Sequence, residues 1–280
     1  MSKNKIGFMQ GRLSNLVNNS IQAFPKENWR DEFKTAKEIN INLMEWTLDY
    51  EDLYKNPLMT NDGREEIKYL SKHFSVSIPS ITADCLMQKP FWKCQKEDKK
   101  LLEEVFLEVI NCASKLNIKY IIVPLVDNSS ISNKNEENLL INFLSENLSF
   151  LKNSSLNILF ESDFEPQKLK YFIRKLPSNI FGLNYDTGNS ASLGYDPEEE
   201  FSCYGKHIKN VHIKDRIKNG ITVPLKKGDV DFEKVFFNLK KYSYKGNLIL
   251  QTARDKNNKH AEAISKYRDF VLNHVNRYLL

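Results

Sequence analysis

Four short apolar runs in the second half of the sequence end at residues that can bind a divalent metal ion. These residues are Glu161, Asp186, His212 and Gln251, at the ends of the runs 158–160, 182–185, 210–213 and 248–250. If the runs are parallel strands of a barrel, their carboxyl ends lie on one face, and the four side chains can converge on a single ion. Two carboxylates, one imidazole and one amide form an oxygen-rich donor set that suits Mn²⁺, Mg²⁺, Co²⁺ or Zn²⁺.

Each of these residues also has a simpler explanation. A single acid after a strand is usually a solvated loop residue or a helix N-cap. A single histidine on an apolar strand is more often a hydrogen-bonded core residue. Four such residues at successive strand ends favour the metal site over four separate structural roles.

Alternating strand and helix patterns run through the whole sequence. Apolar and β-branched runs predict strands at 6–9, 43–46, 76–81, 120–124, 157–161, 181–186, 210–216 and 247–251. Apolar residues at helical spacing predict helices at 29–39, 62–73, 99–116, 136–151, 165–175, 197–204, 231–241 and 261–278. Eight such units in 280 residues favour an α/β protein with one domain, a (β/α)8 TIM barrel over residues 1–280. The segment 82–96 is predicted to be a long binding loop.

Composition excludes several classes of protein. The 41 basic and 36 acidic residues give a net charge of +5, which is too small and too dispersed to indicate nucleic-acid binding. The four cysteines include no C-x-x-C pair, which is typical of reduced thiols. Residues 1–9 lack a signal-peptide core, and no apolar run approaches the ~20 residues that span a bilayer. We therefore expect a cytoplasmic protein without a membrane or nucleic-acid partner.

Five motifs, taken together, resemble a known family. They are GFMQGRL at 7–13, LFE at 159–161, YDTGN at 185–189, VHIKD at 211–215 and LQTAR at 250–254. In this order and spacing the sequence resembles the xylose isomerase-like TIM-barrel superfamily, which includes sugar phosphate isomerases and epimerases and abasic-site endonucleases. The resemblance implies one divalent metal bound by Glu161, Asp186, His212 and the residue at strand eight. It also implies a ketose or ketose phosphate that chelates the metal through hydroxyl and carbonyl oxygens.

One position departs from the family pattern. Family epimerases usually carry a glutamate where this chain has Gln251, and that glutamate is both a metal ligand and one of two acid/base groups. An amide oxygen can bind a metal, but an amide cannot exchange a proton near neutral pH. Glu161 remains a candidate base, and a second proton carrier is expected from Asp84, His260, Glu45 or metal-bound water. A one-base isomerisation is therefore favoured modestly over a two-base epimerisation.

Further polar residues near the predicted strands are candidates for substrate binding. They are Arg12, Glu45, Asn189, Lys214, Arg216 and Arg254. A phosphate or carboxylate on the substrate needs cationic partners, and arginine binds such groups through two parallel hydrogen bonds.

We predict a metal-dependent isomerase or epimerase that acts on a sugar or sugar phosphate through an enediolate. A dehydratase or lyase acting on a polyol or keto-sugar, or a sugar-binding barrel without catalysis, remains open because of Gln251. An abasic-site endonuclease is disfavoured, since its three-zinc cluster needs many histidines and this chain has five, two of them on predicted helices. The resemblance suggests a homodimer or homotetramer.

Overall fold

Eight parallel strands close into a barrel. The computed structural model describes residues 5–18 and 20–280, so residues 1–4 of the segment assessed for a signal peptide lie outside it. The barrel strands are β1 (Ile6–Met9), β2 (Leu43–Thr47), β3 (Ser77–Thr82), β4 (Tyr120–Leu125), β5 (Asn157–Ser162), β6 (Phe181–Asp186), β7 (Ile208–Ile213) and β10 (Asn247–Leu250). They follow one another around the barrel in chain order, and β10 pairs with β1 to close it. The predicted TIM barrel is confirmed.

Helices cover the outside of the barrel. They are α1 (Asp31–Glu38), α2 (Asn61–Phe74), α3 (Asp84–Gln88), α4 (Lys96–Ser114), α5 (Lys134–Glu146), α6 (Leu148–Asn153), α7 (Pro166–Ile173), α8 (Thr187–Leu193), α9 (Pro197–Tyr204), α10 (Phe232–Lys241) and α11 (His260–Tyr278). Short 3₁₀ turns lie at Leu53–Lys55, Pro57–Met59, Asp127–Ser129 and Gly205–His207. After β7, the two-residue strands β8 (Asp215–Arg216) and β9 (Thr222–Val223) form an antiparallel hairpin.

Strand β3 tolerates a proline in the middle of the barrel wall. Proline cannot donate a ladder hydrogen bond and is usually confined to edges or bulges. Between β2 and β3 the register shifts, so that Leu43 pairs with Ser77 while Glu45 pairs with Ser80. Pro79 lies within this irregularity, and the regular pairing of β3 with β4 begins only at Ser80.

The main core lies between the barrel wall and the helices. Trp46, Phe91, Trp92 and Phe106 are among its largest buried side chains. Burial of a large apolar side chain contributes about 1.5–3 kcal/mol, so this layer supplies most of the driving force for closing the barrel. The two aromatic residues at 91 and 92 lie in the segment 82–96, which contributes α3 and core contacts as well as loop structure.

Two further segments differ from the predicted pattern. The helix predicted at 136–151 is two helices, α5 and α6, because Asn147 interrupts it and donates its side-chain Nδ2 to the Phe143 carbonyl (2.9 Å). Helix α8 follows β6 directly and brings Asn189 to the carboxyl face of the barrel. Among residues 5–18 and 20–280, no helix has the length and apolar character needed to cross a bilayer.

Candidate active site

Glu161, Asp186 and His212 meet at the carboxyl ends of β5, β6 and β7. One potential ligand atom from each lies within 4.8 Å of the others, and all three side chains are buried. The register explains this convergence, because Asp186 pairs directly with His212 across β6 and β7. Three of the four residues predicted from the strand ends are therefore brought together.

Glu45 holds His212 from below, inside the barrel. The His212 Nε2 atom lies 2.7 Å from Glu45 Oε1, and the carboxylate also accepts hydrogen bonds from Ser80 Oγ (2.7 Å), Thr82 Oγ1 (2.6 Å) and Asn210 Nδ2 (3.0 Å). Burial alone would raise the pKa of Glu45, but the charge of His212 and these hydrogen bonds lower it. Each carboxylate oxygen of Glu45 therefore has two hydrogen-bond partners, and Glu45 affects the site by positioning His212.

The other ring nitrogen of His212 points at the acidic cluster. Its Nδ1 atom lies 3.0 Å from Glu161 Oε2, but it makes no hydrogen bond of acceptable geometry within the described chain. Burial opposes protonation of the ring, but the carboxylates of Glu45 and Glu161 raise the pKa of His212 to about 10. A buried nitrogen without a hydrogen bond, held on its far side by a carboxylate, is the arrangement found for metal-binding histidines.

Glu161 and Asp186 are held by amide groups. Glu161 accepts from Asn184 Nδ2 (2.6 Å) and Asn189 Nδ2 (2.8 Å). Burial raises the pKa of Glu161, but the neighbouring His212 and Lys214 charges outweigh this effect and lower it. Asp186 is the N-cap of α8 and accepts from the Asn189 backbone N–H through Oδ1 (2.8 Å), which leaves Oδ2 facing the site.

Lys214 and Gln251 complete the cluster. The Lys214 Nζ atom lies 3.1 Å from Asp186 Oδ2, 3.1 Å from Gln251 Oε1 and 3.3 Å from Asn189 Oδ1. The predicted fourth ligand therefore presents its oxygen on the same side as Asp186. Two carboxylates, a histidine nitrogen without a hydrogen bond and an amide oxygen fit a divalent cation.

A cavity of about 330 Å³ opens above this cluster. Its wall contains cationic side chains at Arg12, Lys214 and Arg216, and carboxylates at Asp84 and Asp127. Its base includes Glu161 and Gln251, so a ligand in the cavity can touch the predicted metal ligands directly.

Neutral groups hold both cavity arginines. Arg12 donates to the Thr252 carbonyl (2.9 Å), the Ile21 carbonyl (2.7 Å) and Gln22 Oε1 (2.9 Å). Arg216 donates to the Gly220 carbonyl (2.8 and 3.2 Å) and to Asn189 Oδ1 (2.9 Å). A guanidinium has five N–H donors. Within the described residues each of these arginines therefore retains donors and positive charge for an anionic ligand.

Asp84 lies at the start of α3 on the cavity wall. Burial raises the pKa of Asp84 to about 7, although a hydrogen bond from Gln22 Nε2 (2.8 Å) opposes this shift. A carboxyl group with a pKa near neutrality can both accept and donate a proton.

Comparison with known proteins places this architecture in a family. A family model described as xylose isomerase-like TIM barrel matches residues 33–270. This chain belongs to the xylose isomerase-like TIM barrel family. It is 21% identical over 295 residues to a putative L-ribulose-5-phosphate 3-epimerase, SgbU, from Haemophilus influenzae, covering 99% of this chain and 98% of that protein. It is 26% identical over 156 residues to inosose dehydratase from Clostridium botulinum, covering 47% of this chain and 52% of that enzyme.

The fold likeness extends to solved structures. The IOLI protein, solved with a zinc atom bound, matches with a TM-score of 0.75 and 16% identity over 98% of this chain and 99% of that chain. At this identity the match supports the xylose isomerase-like fold alone.

Two predicted site residues, Arg254 and His260, are not among the residues that line the cavity. Arg254 donates to the backbone carbonyls of Gly11 and Ser14, so it braces the loop after β1. His260 begins α11, where its Nδ1 accepts from the Asp255 backbone N–H at 3.3 Å. Substrate binding by Arg254 and proton transfer by His260 stay predictions. The hydrogen bonds named here join each of these side chains to the protein backbone.

Sequence reasoning missed several residues that shape the site. Gln22 bridges Arg12 and Asp84, and Asn184 and Asn210 carry the hydrogen-bond network from Glu161 to Glu45. The two asparagines interrupt otherwise apolar strands, which is a signal visible in the sequence. Gln22 lies in a polar loop and carries no such signal.

Proposed function

We propose that this protein is a divalent-metal-dependent isomerase or epimerase that acts on a ketose or ketose phosphate through an enediolate. The observation that supports this most directly is the convergence of Glu161, Asp186 and His212, of which Glu161 lines a cavity whose wall carries two arginines. Membership of the family and the sugar epimerases among its relatives agree with this proposal.

The metal would be held by Glu161, Asp186 and His212, with the amide oxygen of Gln251 as a fourth ligand. A bound divalent ion would polarise the substrate carbonyl and stabilise the negative charge that develops on its oxygen. The role of Glu45 would be to hold the Nε2 proton of His212, so that Nδ1 can bind the metal once it has lost its own proton.

Proton transfer requires a group beside the substrate carbon. Glu161 is suited to abstract the proton, because two asparagine side chains fix its orientation at the base of the cavity. Asp84 lines the same cavity and has a pKa of about 7, so it is suited to return a proton from another direction. Because Glu161 and Asp84 would provide two proton carriers in one cavity, epimerisation remains compatible with a glutamine at position 251.

The two arginines of the cavity support a phosphorylated substrate over a neutral sugar. Arg12 and Arg216 are held by neutral acceptors, and burial with the nearby Arg254 charge lowers the pKa of Arg12 to about 9. An anionic group on the substrate would pair with the N–H donors that these two guanidinium groups retain. A phosphate accepts paired hydrogen bonds from a guanidinium, which a hydroxyl group cannot match.

The test is hydrogen exchange in D₂O. Purified protein is incubated with a panel of pentulose and hexulose phosphates and the matching unphosphorylated sugars, and NMR follows deuterium entering next to the carbonyl. We expect exchange with at least one sugar phosphate, its loss in EDTA and its return with Mn²⁺. Glu161→Gln should abolish exchange, whereas Glu165→Gln, at an exposed position, should not. Absence of exchange across the panel with every metal would refute the proposal.

A dehydratase is the second candidate. The partial match to inosose dehydratase and the single carboxylate base at the strand ends both favour it. The same reactions analysed by mass spectrometry separate the two functions, because dehydration lowers the substrate mass by one water and epimerisation leaves it unchanged. Oligomeric state, cytoplasmic location and the absence of a nucleic-acid partner stay predictions.

A further inference from the structure

The ammonium group of Lys214 shares two oxygens with the proposed metal ligand set. These are Asp186 Oδ2 and Gln251 Oε1, each 3.1 Å from Nζ. We propose that Lys214 is a built-in counter-ion that neutralises the ligand cluster and that a divalent metal must displace. This inference rests on the proposed function only in taking these residues as metal ligands.

The contacts of the ammonium group are those of a fully coordinated cation. An ammonium has three N–H donors, and Asn189 Oδ1 at 3.3 Å provides the third acceptor. The Lys214 side chain is 14% exposed and its carboxylate partner 1%, so this ion pair lies inside the site. Pairs of this kind are screened little by solvent, and removing one partner leaves an uncompensated charge.

The backbone and the stem of Lys214 are held in place as well. Thr187 Oγ1 donates to the Lys214 carbonyl (2.6 Å) and accepts from its backbone N–H (3.0 Å). The stem passes over Gly188, where a Cβ atom would lie 2.7 Å from Lys214 Cγ. The first turn of α8 is therefore shaped to seat this lysine against Asp186.

The charge balance of the cluster explains the amide at 251. Glu45, Glu161 and Asp186 are three buried carboxylates, and His212 lies at ion-pair distance from Glu45 (2.7 Å) and Glu161 (3.0 Å). Lys214 supplies the positive charge at the third. An uncharged Gln251 accepts a hydrogen bond from this ammonium without adding a fourth negative charge.

Displacement follows from electrostatics. A divalent ion bound to Asp186 and Gln251 would replace the ammonium at both oxygens, and two cations so close repel each other. The lysine would have to swing towards the cavity, which Lys214 already lines. Metal affinity in the native protein should therefore be lower than the ligand set alone would give.

The experiment measures Mn²⁺ binding and thermal unfolding on protein freed of metal with EDTA. Lys214→Met should bind Mn²⁺ at least about tenfold more tightly than the native chain by isothermal titration calorimetry. Its Tm should fall in EDTA, where the acids lose their counter-ion, and should recover in saturating Mn²⁺. Lys256→Met, at an exposed position, makes the same change in net charge and should alter neither quantity.

Two results would overturn the inference. One is an Mn²⁺ affinity of Lys214→Met within twofold of the native value. The other is an equal fall in Tm with and without Mn²⁺, which would indicate an ordinary packing role. If Lys214→Met does not fold, Lys214→Gln, which keeps a polar end without the charge, replaces it in both measurements. No substrate enters these assays, so their outcome is independent of whether the sugar panel is turned over.

Discussion

Replacement of Glu45 by glutamine tests the base of the site most directly. The Glu45 carboxylate is 0% exposed and accepts four hydrogen bonds, from Ser80, Thr82, Asn210 and His212. Glutamine keeps the shape of the side chain but replaces one acceptor oxygen with an NH₂ donor and removes the negative charge. Two of the four donors then lose their acceptor inside the barrel.

The expected loss of stability is large for such a conservative change. Each buried donor left without an acceptor costs about 1–3 kcal/mol. Breaking a buried charge pair by removing one partner costs about 3–5 kcal/mol in total. Because domains are stable by only about 5–15 kcal/mol, we expect Glu45→Gln to lower the free energy of unfolding by about 3–5 kcal/mol.

Urea unfolding in EDTA measures this effect, with linear extrapolation to water. Glu66→Gln is the matched control, because Glu66 pairs with Arg30 on the surface (2.6 Å) and such pairs contribute about 1 kcal/mol or less. Metal affinity should also fall by about 10–100-fold, since the far-side partner fixes the histidine tautomer. If Glu45→Gln loses less than about 1 kcal/mol, the carboxylate does not support His212 as described.

Three further substitutions probe the cavity. Asp84→Asn should lower turnover by about 100-fold or more and remove a pH step near 7. Because the pKa of Asp84 is raised in the native protein, the unfolded chain releases this proton at a lower pH than the native protein does. The free energy of unfolding should therefore fall as pH rises from about 4 to about 7. Asp84→Asn should reduce this pH dependence, which urea unfolding at several pH values measures. Arg216→Met should raise KM for a sugar phosphate by about tenfold or more and leave KM for the unphosphorylated sugar unchanged in steady-state kinetics. Gly188→Ala should push the Lys214 stem from its seat and cost about 1–3 kcal/mol in EDTA, measured by urea unfolding.

The sequence predicts the barrel well where local pattern decides the structure. Strand β6 and helix α9 have the predicted bounds, because an apolar run ending in an acid and a proline at a first helical turn are strong local signals. The sequence pattern predicts a seventh strand that extends to Arg216, but β7 ends at Ile213, and Asp215–Arg216 pairs with Thr222–Val223 instead. Charged residues after a buried strand indicate where it ends only approximately.

The convergence of the candidate metal ligands was predictable for a different reason. Strand ends of a closed barrel share one face, so Glu161, Asp186 and His212 had to lie near one another once the topology was right. The roles of Glu45 and Lys214 were not predictable in this way. Glu45 is separated from His212 by 167 positions, and the register between β2 and β3 shifts between Leu43 and Glu45, which a local pattern does not reveal.

Under the proposed function, the glutamine at position 251 would leave the second proton-transfer role to Asp84. Gln22 connects Gln251 to Asp84, since its Oε1 accepts from Gln251 Nε2 (3.4 Å) while its Nε2 donates to Asp84 Oδ2 (2.8 Å). A carboxylate at position 251 would be repelled by the side-chain oxygen of Gln22. Rotation of the Gln22 amide would relieve this repulsion, but it would also remove the Nε2 donor from Asp84. The amide at 251, the bridging amide at 22 and a carboxyl group with a raised pKa at 84 therefore form one arrangement. In the proposed function, Asp84 on the cavity wall would be the second proton carrier, and the strand end would be left to Lys214 and the metal.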